Sequence, residues 1–243
     1  MSPAPLRLLI HGASGRMGRA LLRLAADDPR FALVAAVSAR GGAIAEAVAV
    51  PVLAADQLAT APAFDVAIDF SLPQGFDAVL ALCRKRGAAL VSGTTGLGPQ
   101  QRQALDSAAA ETPILWAANF SLGVAVLSEL VRQAAAMLPH WDCDIVESHH
   151  VHKRDAPSGT ALALGVAATD GGGRPPHYAS LRAGDIVGEH TVQLTGMGER
   201  IELVHRATDR DVFARGALES ALRLAMQAPG PYSIASLMLV AGR

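Results

Sequence analysis

The first half of the chain alternates short apolar runs with segments of helical spacing, and this alternation limits the possible folds more than any other feature. Buried strands that alternate with helices are typical of right-handed βαβ units around a parallel sheet. The pattern therefore predicts an α/β fold. The predicted strands are Leu6–Ile10, Phe31–Val37, Phe64–Phe70, Ala88–Val91 and Pro113–Ala118, and the predicted helices are Arg16–Ala26, Gly75–Arg86 and Pro99–Ala110.

The second half differs, because its extended segments alternate apolar and polar residues like a half-exposed, partly antiparallel sheet. We expect a Rossmann-like, dinucleotide-binding domain in residues 1–121 plus 213–243, and a second α+β domain on a mixed sheet in residues 122–212. The predicted strands are Asp144–His150, Thr191–Thr195, Arg200–Arg206 and a final Ile234–Val240, and the predicted helices are Val124–Leu138, Thr160–Ala168 and Phe213–Met226.

A turn of small residues joins the first predicted strand to the first predicted helix. Backbone N–H groups in such a turn can approach a pyrophosphate, and the helix N-terminus adds partial positive charge. The spacing is GxxGxxG rather than GxGxxG, because position 14 is serine, and glycines at strand ends often serve only as turns. The position of this turn, between the first predicted strand and the first predicted helix, favours a dinucleotide site. The turn consists of Gly12, Ala13, Ser14, Gly15, Arg16, Met17 and Gly18.

The end of the second predicted strand bears on the choice of nicotinamide cofactor. It continues as Val37–Arg40 without the carboxylate that usually binds the ribose diol of NAD. Arg16 and Arg40 are instead placed to meet a 2′-phosphate. The sequence thus favours NADPH, or the use of both NADPH and NADH, over the alternative that Arg40 is a solvated loop residue.

Histidines are concentrated at the end of a predicted strand, at His149, His150 and His152, with Lys153 and Arg154 following. Three interpretations compete: a metal site, histidines held by structural hydrogen bonds, and a proton-transfer site. A metal is disfavoured because no thiolate or carboxylate stands at a usual ligand spacing and two cations lie nearby. We favour proton transfer, because histidine titrates near neutrality and a lysine supplies a cation or an acid.

The residues that follow open a helix. Ser158 is a natural N-cap, and the N–H groups of Gly159 and Thr160 lie in the first turn, where they have no partner within the helix. Ordinary capping explains this pattern too. Together with the basic loop, however, the helix start favours a carboxylated substrate.

Charge and composition disfavour several classes of protein. With 21 basic and 22 acidic residues the net charge is −1, so the basic surface typical of nucleic-acid binders is not expected. No apolar run approaches the roughly 20 residues that cross a bilayer. Cys83 and Cys143 make no disulfide framework, which favours the reducing cytoplasm. Apolar residues reach 51%, enough for a large core and a subunit interface.

Over nearly its whole length the sequence resembles the dihydrodipicolinate reductase family of the bacterial lysine pathway. The segment ESHHVHKRDAPSGTA, at 147–161, is the most specific match. The other matching motifs are Gly12–Gly18, Asp69–Ser71, Gly93–Gly96, Ala117–Ser121 and Arg182–His190.

The resemblance implies reduction of 4-hydroxy-tetrahydrodipicolinate, a small dicarboxylate, to tetrahydrodipicolinate by hydride from NADPH or NADH, and a homotetramer built through the second domain. It implies that His149 is the general acid/base, that Lys153 donates a proton, and that His150, Gly159 and Thr160 hold the substrate. Cofactor contacts are implied for Gly12, Ala13, Ser14, Gly15, Arg16, Met17, Gly93, Thr94, Thr95, Ala117, Ala118, Asn119 and Phe120.

Two departures from the family pattern leave the cofactor preference open. Ser38 stands where the family often has an acidic residue, and the segment between Arg40 and Phe64 is shorter than in many members. If the two reactants bind to different domains, the stretches 119–123 and 210–213 are expected to act as hinges.

Other functions on the same scaffold remain possible at this point: another imine or aldehyde reductase, or a non-catalytic NADPH-sensing module. An aldehyde dehydrogenase of the semialdehyde type needs a catalytic cysteine, and Cys143 has no obvious base beside it.

Overall fold

The computed structural model of the chain describes residues 4–48 and 50–239. Its residues form two compact units that divide after Phe120 and after Val212. In chain order the elements are β1 (Leu6–His11), α1 (Arg16–Ala26), β2 (Phe31–Ser38), β3 (Val52–Ala54), β4 (Val66–Asp69), α2 (Pro73–Arg86), β5 (Ala89–Ser92), α3 (Pro99–Ala109), β6 (Pro113–Trp116), α4 (Leu122–Met137), β7 (Asp142–His149), α5 (Gly159–Asp170), β8 (His177–Arg182), β9 (Gly188–Gly196), β10 (Glu199–Ala207), α6 (Asp211–Leu224), β11 (Gly230–Tyr232) and α7 (Ile234–Leu239).

The first unit contains a seven-stranded parallel sheet in the order β11-β6-β5-β4-β1-β2-β3. Its inner strands are buried, which explains their unbroken apolar runs; Leu9 and Leu90 pack with Phe76, Val79 and Cys83 of α2. The predicted α/β architecture is confirmed. The strand order reverses beside β1, and in sheets of this type ligands bind outside the carboxyl ends of the strands at that point.

The second unit contains a mixed four-stranded sheet in the order β10-β9-β7-β8, with only β7 and β8 parallel. The helices α4 and α5 cover one face, where Val131 and Leu164 pack against Ile145 and Val192. The predicted mixed sheet is thus confirmed. Along β7 the buried residues alternate with half-exposed ones, and this alternation brings Glu147 and His149 to the covered face.

One predicted element is wrong. Ile234–Val240 was expected to be a strand, but residues Ile234–Leu239 form the short helix α7, and Val240 lies outside the described residues. The cause is local capping: the N–H of Ser236 donates to Oγ of Ser233 at 3.0 Å, and the N–H of Ser233 donates to Oγ of Ser236 at 2.9 Å. The edge strand of the sheet is instead β11, upstream of this cap.

Within the described part of the chain, no helix combines the length and apolar character needed to cross a membrane.

Candidate functional site

The loop after β1 needs glycine at two positions. Gly12 has φ of +80°, and a Cβ built there would lie 2.5 Å from the carbonyl oxygen of Phe70. At Gly18, in the first turns of α1, a Cβ would lie 2.3 Å from the carbonyl oxygen of Gly12. These close approaches let the backbone leave β1 and enter the helix within four residues.

The N-terminus of α1 suits the diphosphate of a dinucleotide. Its N-cap is Gly15, no side chain caps the first turn, and that turn contains no acidic residue. The first-turn N–H groups have no partner within the helix and, together with the helix dipole, favour an anion. The residues present therefore fit a nicotinamide dinucleotide at the carboxyl edge of the sheet.

A buried carboxylate holds three loops of this edge together. Asp69, at the end of β4, accepts hydrogen bonds from Oγ of Ser92 at 2.9 Å, from Oγ1 of Thr94 at 2.8 Å and from the N–H of Ser71 at 3.1 Å. Its Oδ1 lies 2.8 Å from Nδ1 of His11. Burial alone would raise the pKa of Asp69, but the hydrogen bonds, first among them that of His11, lower it below its ordinary value. The sequence did not indicate this role for His11 or Ser92.

The loops after β5 and β6 meet at aromatic side chains. A Cβ on Gly93 would lie 2.2 Å from the ring of Phe70, which packs edge-on against Phe120 at 5.3 Å between centroids. The indole N–H of Trp116 donates to the carbonyl of Thr94 at 2.8 Å. The cofactor residues implied by the resemblance thus lie in loops at the carboxyl ends of β1, β5 and β6, or in the first turn of α1.

The end of β2 carries no carboxylate, as the sequence indicated. The hydroxyl of Ser38 donates to the carbonyl of Gly41 at 3.1 Å. Arg16 and Arg40 are exposed, and neither forms an ion pair with another described residue. Both guanidinium groups are therefore available to an anion.

We expect Gly12→Ala to weaken binding of NADPH at least about tenfold, because the added Cβ forces the loop away from Phe70 and a non-glycine residue is strained at positive φ. Fluorescence titration with NADPH measures the effect. Gly87→Ala is the matched control, because Gly87 also has a positive φ, of +62°, but has open space around its Cβ position. Equal affinities for the two variants would contradict the prediction.

In the second unit, His149 pairs with a carboxylate on its own strand. Its Nδ1 is hydrogen-bonded to Oε2 of Glu147, which is fully buried. Arg182 from β8 donates to Oε2 at 3.0 Å and to Oε1 at 2.8 Å of the same carboxylate. Gly188 on β9 leaves room beside the ring, since a Cβ there would lie 3.0 Å from Nε2 of His149.

These contacts set the charge of the pair. Although burial opposes ionisation, hydrogen bonds from Arg182, Ser180 and His149 lower the pKa of Glu147 to about 2. Burial lowers the pKa of His149 below its usual value, and this effect outweighs the attraction of Glu147. At neutral pH the ionised carboxylate accepts the proton on Nδ1, so the lone pair of the neutral ring is at Nε2.

Lys153 lies in the segment that follows β7. Its Nζ lies 2.9 Å from Oδ2 of Asp155, and its N–H donates to the carbonyl of His150 at 3.1 Å. Arg182 donates to the carbonyls of Lys153 at 3.3 Å and of Asp155 at 2.6 Å. The structure therefore links Lys153 and His149 through one guanidinium.

The start of α5 belongs to the same cluster. Ser158 is its N-cap, accepting from the N–H of Ala161 at 3.2 Å, and the N–H of Ser158 donates to Oε1 of Glu147 at 3.3 Å. Apart from its chain neighbours and the backbone of its own helix, no atom lies within 4 Å of a Cβ position on Gly159, so this residue borders open space. The first turn of α5, with Gly159 and Thr160, is thus beside the His149 pair and can hold an anion.

A further histidine that the sequence did not single out completes the cluster. His190 on β9 places Nε2 at 3.1 Å from Oγ of Ser158, and its ring packs edge-on against His149 at 5.2 Å between centroids. Burial lowers its pKa to about 4, so it is neutral at pH 7. His190 lies opposite Glu147 in the sheet, a pairing that depends on strand register and that no local sequence pattern indicates.

His150 lies just beyond the end of β7. Burial, and after it Arg210 and the neighbouring histidines, lower its pKa. The centroids of His150 and His152 are 6.1 Å apart. Among the described residues no group of three or more histidine, cysteine, aspartate or glutamate side chains is arranged to hold a metal.

Comparison with known proteins gives a match for each of the two parts of the chain. Residues 6–120 match the family model described as dihydrodipicolinate reductase, N-terminus, and residues 123–238 match the model for its C-terminus. The 4-hydroxy-tetrahydrodipicolinate reductase of Stenotrophomonas maltophilia is 67% identical over 98% of this chain and 100% of its own length. That of Xanthomonas campestris pv. campestris is 63% identical over the same shares of the two chains.

A solved structure of dipicolinate-bound dihydrodipicolinate reductase from Paenisporosarcina sp. TG-14 shares the fold, with a TM-score of 0.79. It is 24% identical, and the match covers 94% of this chain and 97% of that one. The family models together span nearly the whole chain, and the two relatives cover 98% of it. The chain therefore belongs to the dihydrodipicolinate reductase family.

Proposed function

We propose that the chain reduces 4-hydroxy-tetrahydrodipicolinate to tetrahydrodipicolinate, in the diaminopimelate route to lysine, with a hydride from NADPH or NADH and one proton added and the 4-hydroxyl group lost as water. The observation that carries this proposal is the cluster of His149, Lys153 and the start of α5. It combines a titratable imidazole, the ammonium group of a lysine and a helix N-terminus beside open space. That combination suits a dicarboxylate whose ring must receive a proton during reduction.

The nicotinamide cofactor supplies the hydride when bound. Residues Gly12–Met17 would hold its diphosphate, and Gly93–Thr95 and Ala117–Phe120 would border the rest of it. Asp69 holds the residues at the ends of β1, β4 and β5 together by hydrogen bonds, so that these loops are in place before the cofactor binds. The unit formed by residues 4–48, 50–120 and 213–239 is thus the proposed dinucleotide-binding domain, and Ser121–Val212 the proposed substrate-binding domain.

The negative charge of the substrate would raise the pKa of His149 when the substrate binds. Gly159 and Thr160, through their backbone N–H groups, would bind one carboxylate, while Lys153 adds positive potential and His150 offers a hydrogen-bonding imidazole. A dianion beside His149 raises the pKa of its ring, which burial and nearby cations hold low in the free protein. Nε2 of His149 then takes up a proton and can deliver it to the ring, and Lys153 supplies a second acid.

The proposed preference is for NADPH. Arg16 at the start of α1 and Arg40 just after β2 form no ion pair with another described residue, and arginine binds phosphate in a bidentate manner. We expect the double variant Arg16→Ala with Arg40→Ala to raise KM for NADPH about tenfold or more, since about 1.4 kcal/mol is a factor of ten. Initial rates with NADH are the internal control, and an equal loss with both cofactors would contradict the preference.

A coupled assay tests the activity itself. Dihydrodipicolinate synthase, pyruvate and aspartate semialdehyde supply the substrate, and nicotinamide oxidation is followed with NADH and NADPH in parallel. We expect oxidation that depends on the synthase. Tight NADPH binding without oxidation would instead identify a sensing module, and oxidation with other imines or aldehydes but not with this substrate would identify a different reductase.

A homotetramer formed through Ser121–Val212, located in the cytoplasm, is the remaining part of the proposal. Cys83 and Cys143 are both free and buried, which fits a reducing compartment. Light scattering on the purified chain tests the assembly.

A further inference from the structure

Arg182 contacts both parts of the proposed acid machinery. Its guanidinium binds the two oxygens of Glu147, the partner of His149, and it also binds the carbonyls of Lys153 and Asp155. One side chain from β8 therefore reaches four acceptors of this cluster, and it also donates to the carbonyl of Leu181 at 2.6 Å. Because Glu147 is fully buried, its charge needs this partner.

Glu147 determines which nitrogen of His149 faces away from the carboxylate. A histidine that donates from one ring nitrogen to an acceptor has its tautomer and ring orientation set by that bond. With Nδ1 held by Glu147, Nε2 faces the gap that Gly188 leaves open. This is the orientation in which His149 can exchange a proton with a bound molecule.

The Glu147 carboxylate stabilises the imidazolium of His149, and Arg182, which binds that carboxylate, acts against this stabilisation alongside the larger effect of burial. An opposite charge within about 4–6 Å favours the charged form of a histidine and raises its pKa by about one unit or more. Even so, the net shift of the pKa of His149 is downward, because burial opposes the imidazolium and Lys153 and Arg182 repel it. The titratable and charged groups that face His149 are Glu147 on its own strand, Arg182 on β8, His190 on β9, and His150 and Lys153 after β7.

We propose that Glu147 and Arg182 are positioning residues of the reductase: Glu147 fixes the tautomer and direction of His149, and Arg182 balances the charge of Glu147 while fixing the segment that carries Lys153. This inference rests on the proposed function for its kinetic consequences. Its structural consequences are measurable without any substrate.

Titration of His149 by NMR, on protein labelled with ¹⁵N-histidine, is the direct test. The His149 signals are identified by their loss in His149→Gln. We expect Glu147→Gln to lower the pKa of His149 by about one unit and to raise the share of the Nε2–H tautomer. We expect Arg182→Met to raise the pKa by about one unit, because it leaves the carboxylate uncompensated.

Steady-state kinetics give the second readout. We expect Glu147→Gln to lower kcat about 10- to 100-fold with less than a threefold change in KM, because the proton donor rather than substrate binding is affected. Arg182→Lys keeps the positive charge but one ammonium cannot reach all four acceptors. In the Arg182→Lys variant the pKa of His149 should therefore stay within about 0.3 units of the parent value, while kcat/KM falls at least about tenfold.

Asp142→Asn is the matched control. Asp142 is another carboxylate on β7, and its Oδ1 accepts from Arg174 at 2.7 Å, but both partners are exposed. We expect this variant to leave the titration and the kinetics at the parent values. Thermal melts show which variants are folded; if Arg182→Met does not fold, Arg182→Lys carries the test of that residue.

An unchanged titration and tautomer of His149 in Glu147→Gln would overturn the role of Glu147. An unchanged kcat/KM in folded Arg182→Lys would overturn the role of Arg182. If the parent chain fails to reduce the substrate in the coupled assay, the proposed function fails, while the NMR result still decides whether Glu147 orients His149.

Discussion

Replacing His149 with glutamine is expected to lower kcat by about 10²–10⁴-fold, the usual contribution of a positioned general acid or base. Glutamine can still donate to Glu147 from its amide and occupies a similar volume, so the cluster should keep its shape. It has no group that titrates, so no proton reaches the substrate from this position. Single-turnover and steady-state rates with saturating NADPH measure the loss.

The pH profile separates this effect from structural damage. For the parent protein, kcat/KM should fall as the pH rises through the pKa of His149, which burial holds below the usual value for histidine. The glutamine variant should lack this dependence. His177→Gln is the control, because His177 lies on β8 of the same sheet with a side chain that is 85% exposed. A His149→Gln variant with parent turnover would remove His149 from the mechanism.

Replacing Lys153 with alanine is expected to lower kcat/KM about 10²–10³-fold, through both a higher KM and a lower kcat. Two losses combine: a charge-assisted hydrogen bond to a carboxylate, worth about 1.5–3 kcal/mol, and a source of protons near the ring. The chain has only two lysines, and its other basic side chains, histidine apart, are arginines. Arginine stays protonated, so it cannot take the place of a lysine that must release a proton.

The second lysine supplies the control for this experiment. Lys85 is exposed on α2, and Lys85→Ala should leave kcat and KM at the parent values. Lys153→Arg should restore KM more than kcat, since the positive charge returns without a transferable proton. If Lys153→Ala lowered only the melting temperature, the proposed role in proton transfer would be wrong.

The glycine loop and the alternation of strands and helices in the first half of the chain could be predicted because each leaves a local pattern in the sequence. Gly18 is required by the carbonyl of Gly12, six residues earlier, both glycines stand in the short stretch that joins β1 to α1, and buried strands leave continuous apolar runs. By contrast, the edge strands β3 and β11 are only three residues long, too short to show a period. β8 is almost wholly exposed and has no apolar alternation to find.

The sequence by itself determined the α/β architecture of the first half, the glycine loop, the position of the histidine–lysine segment and the family. Only the tertiary structure decided which charges pair: Glu147 with Arg182, 35 residues apart, and His11 with Asp69, 58 residues apart. Such pairs depend on strand register, and a slip of one residue would turn every side chain to the other face. Register is set by packing of the whole sheet against its helices, so no local pattern of residues contains it.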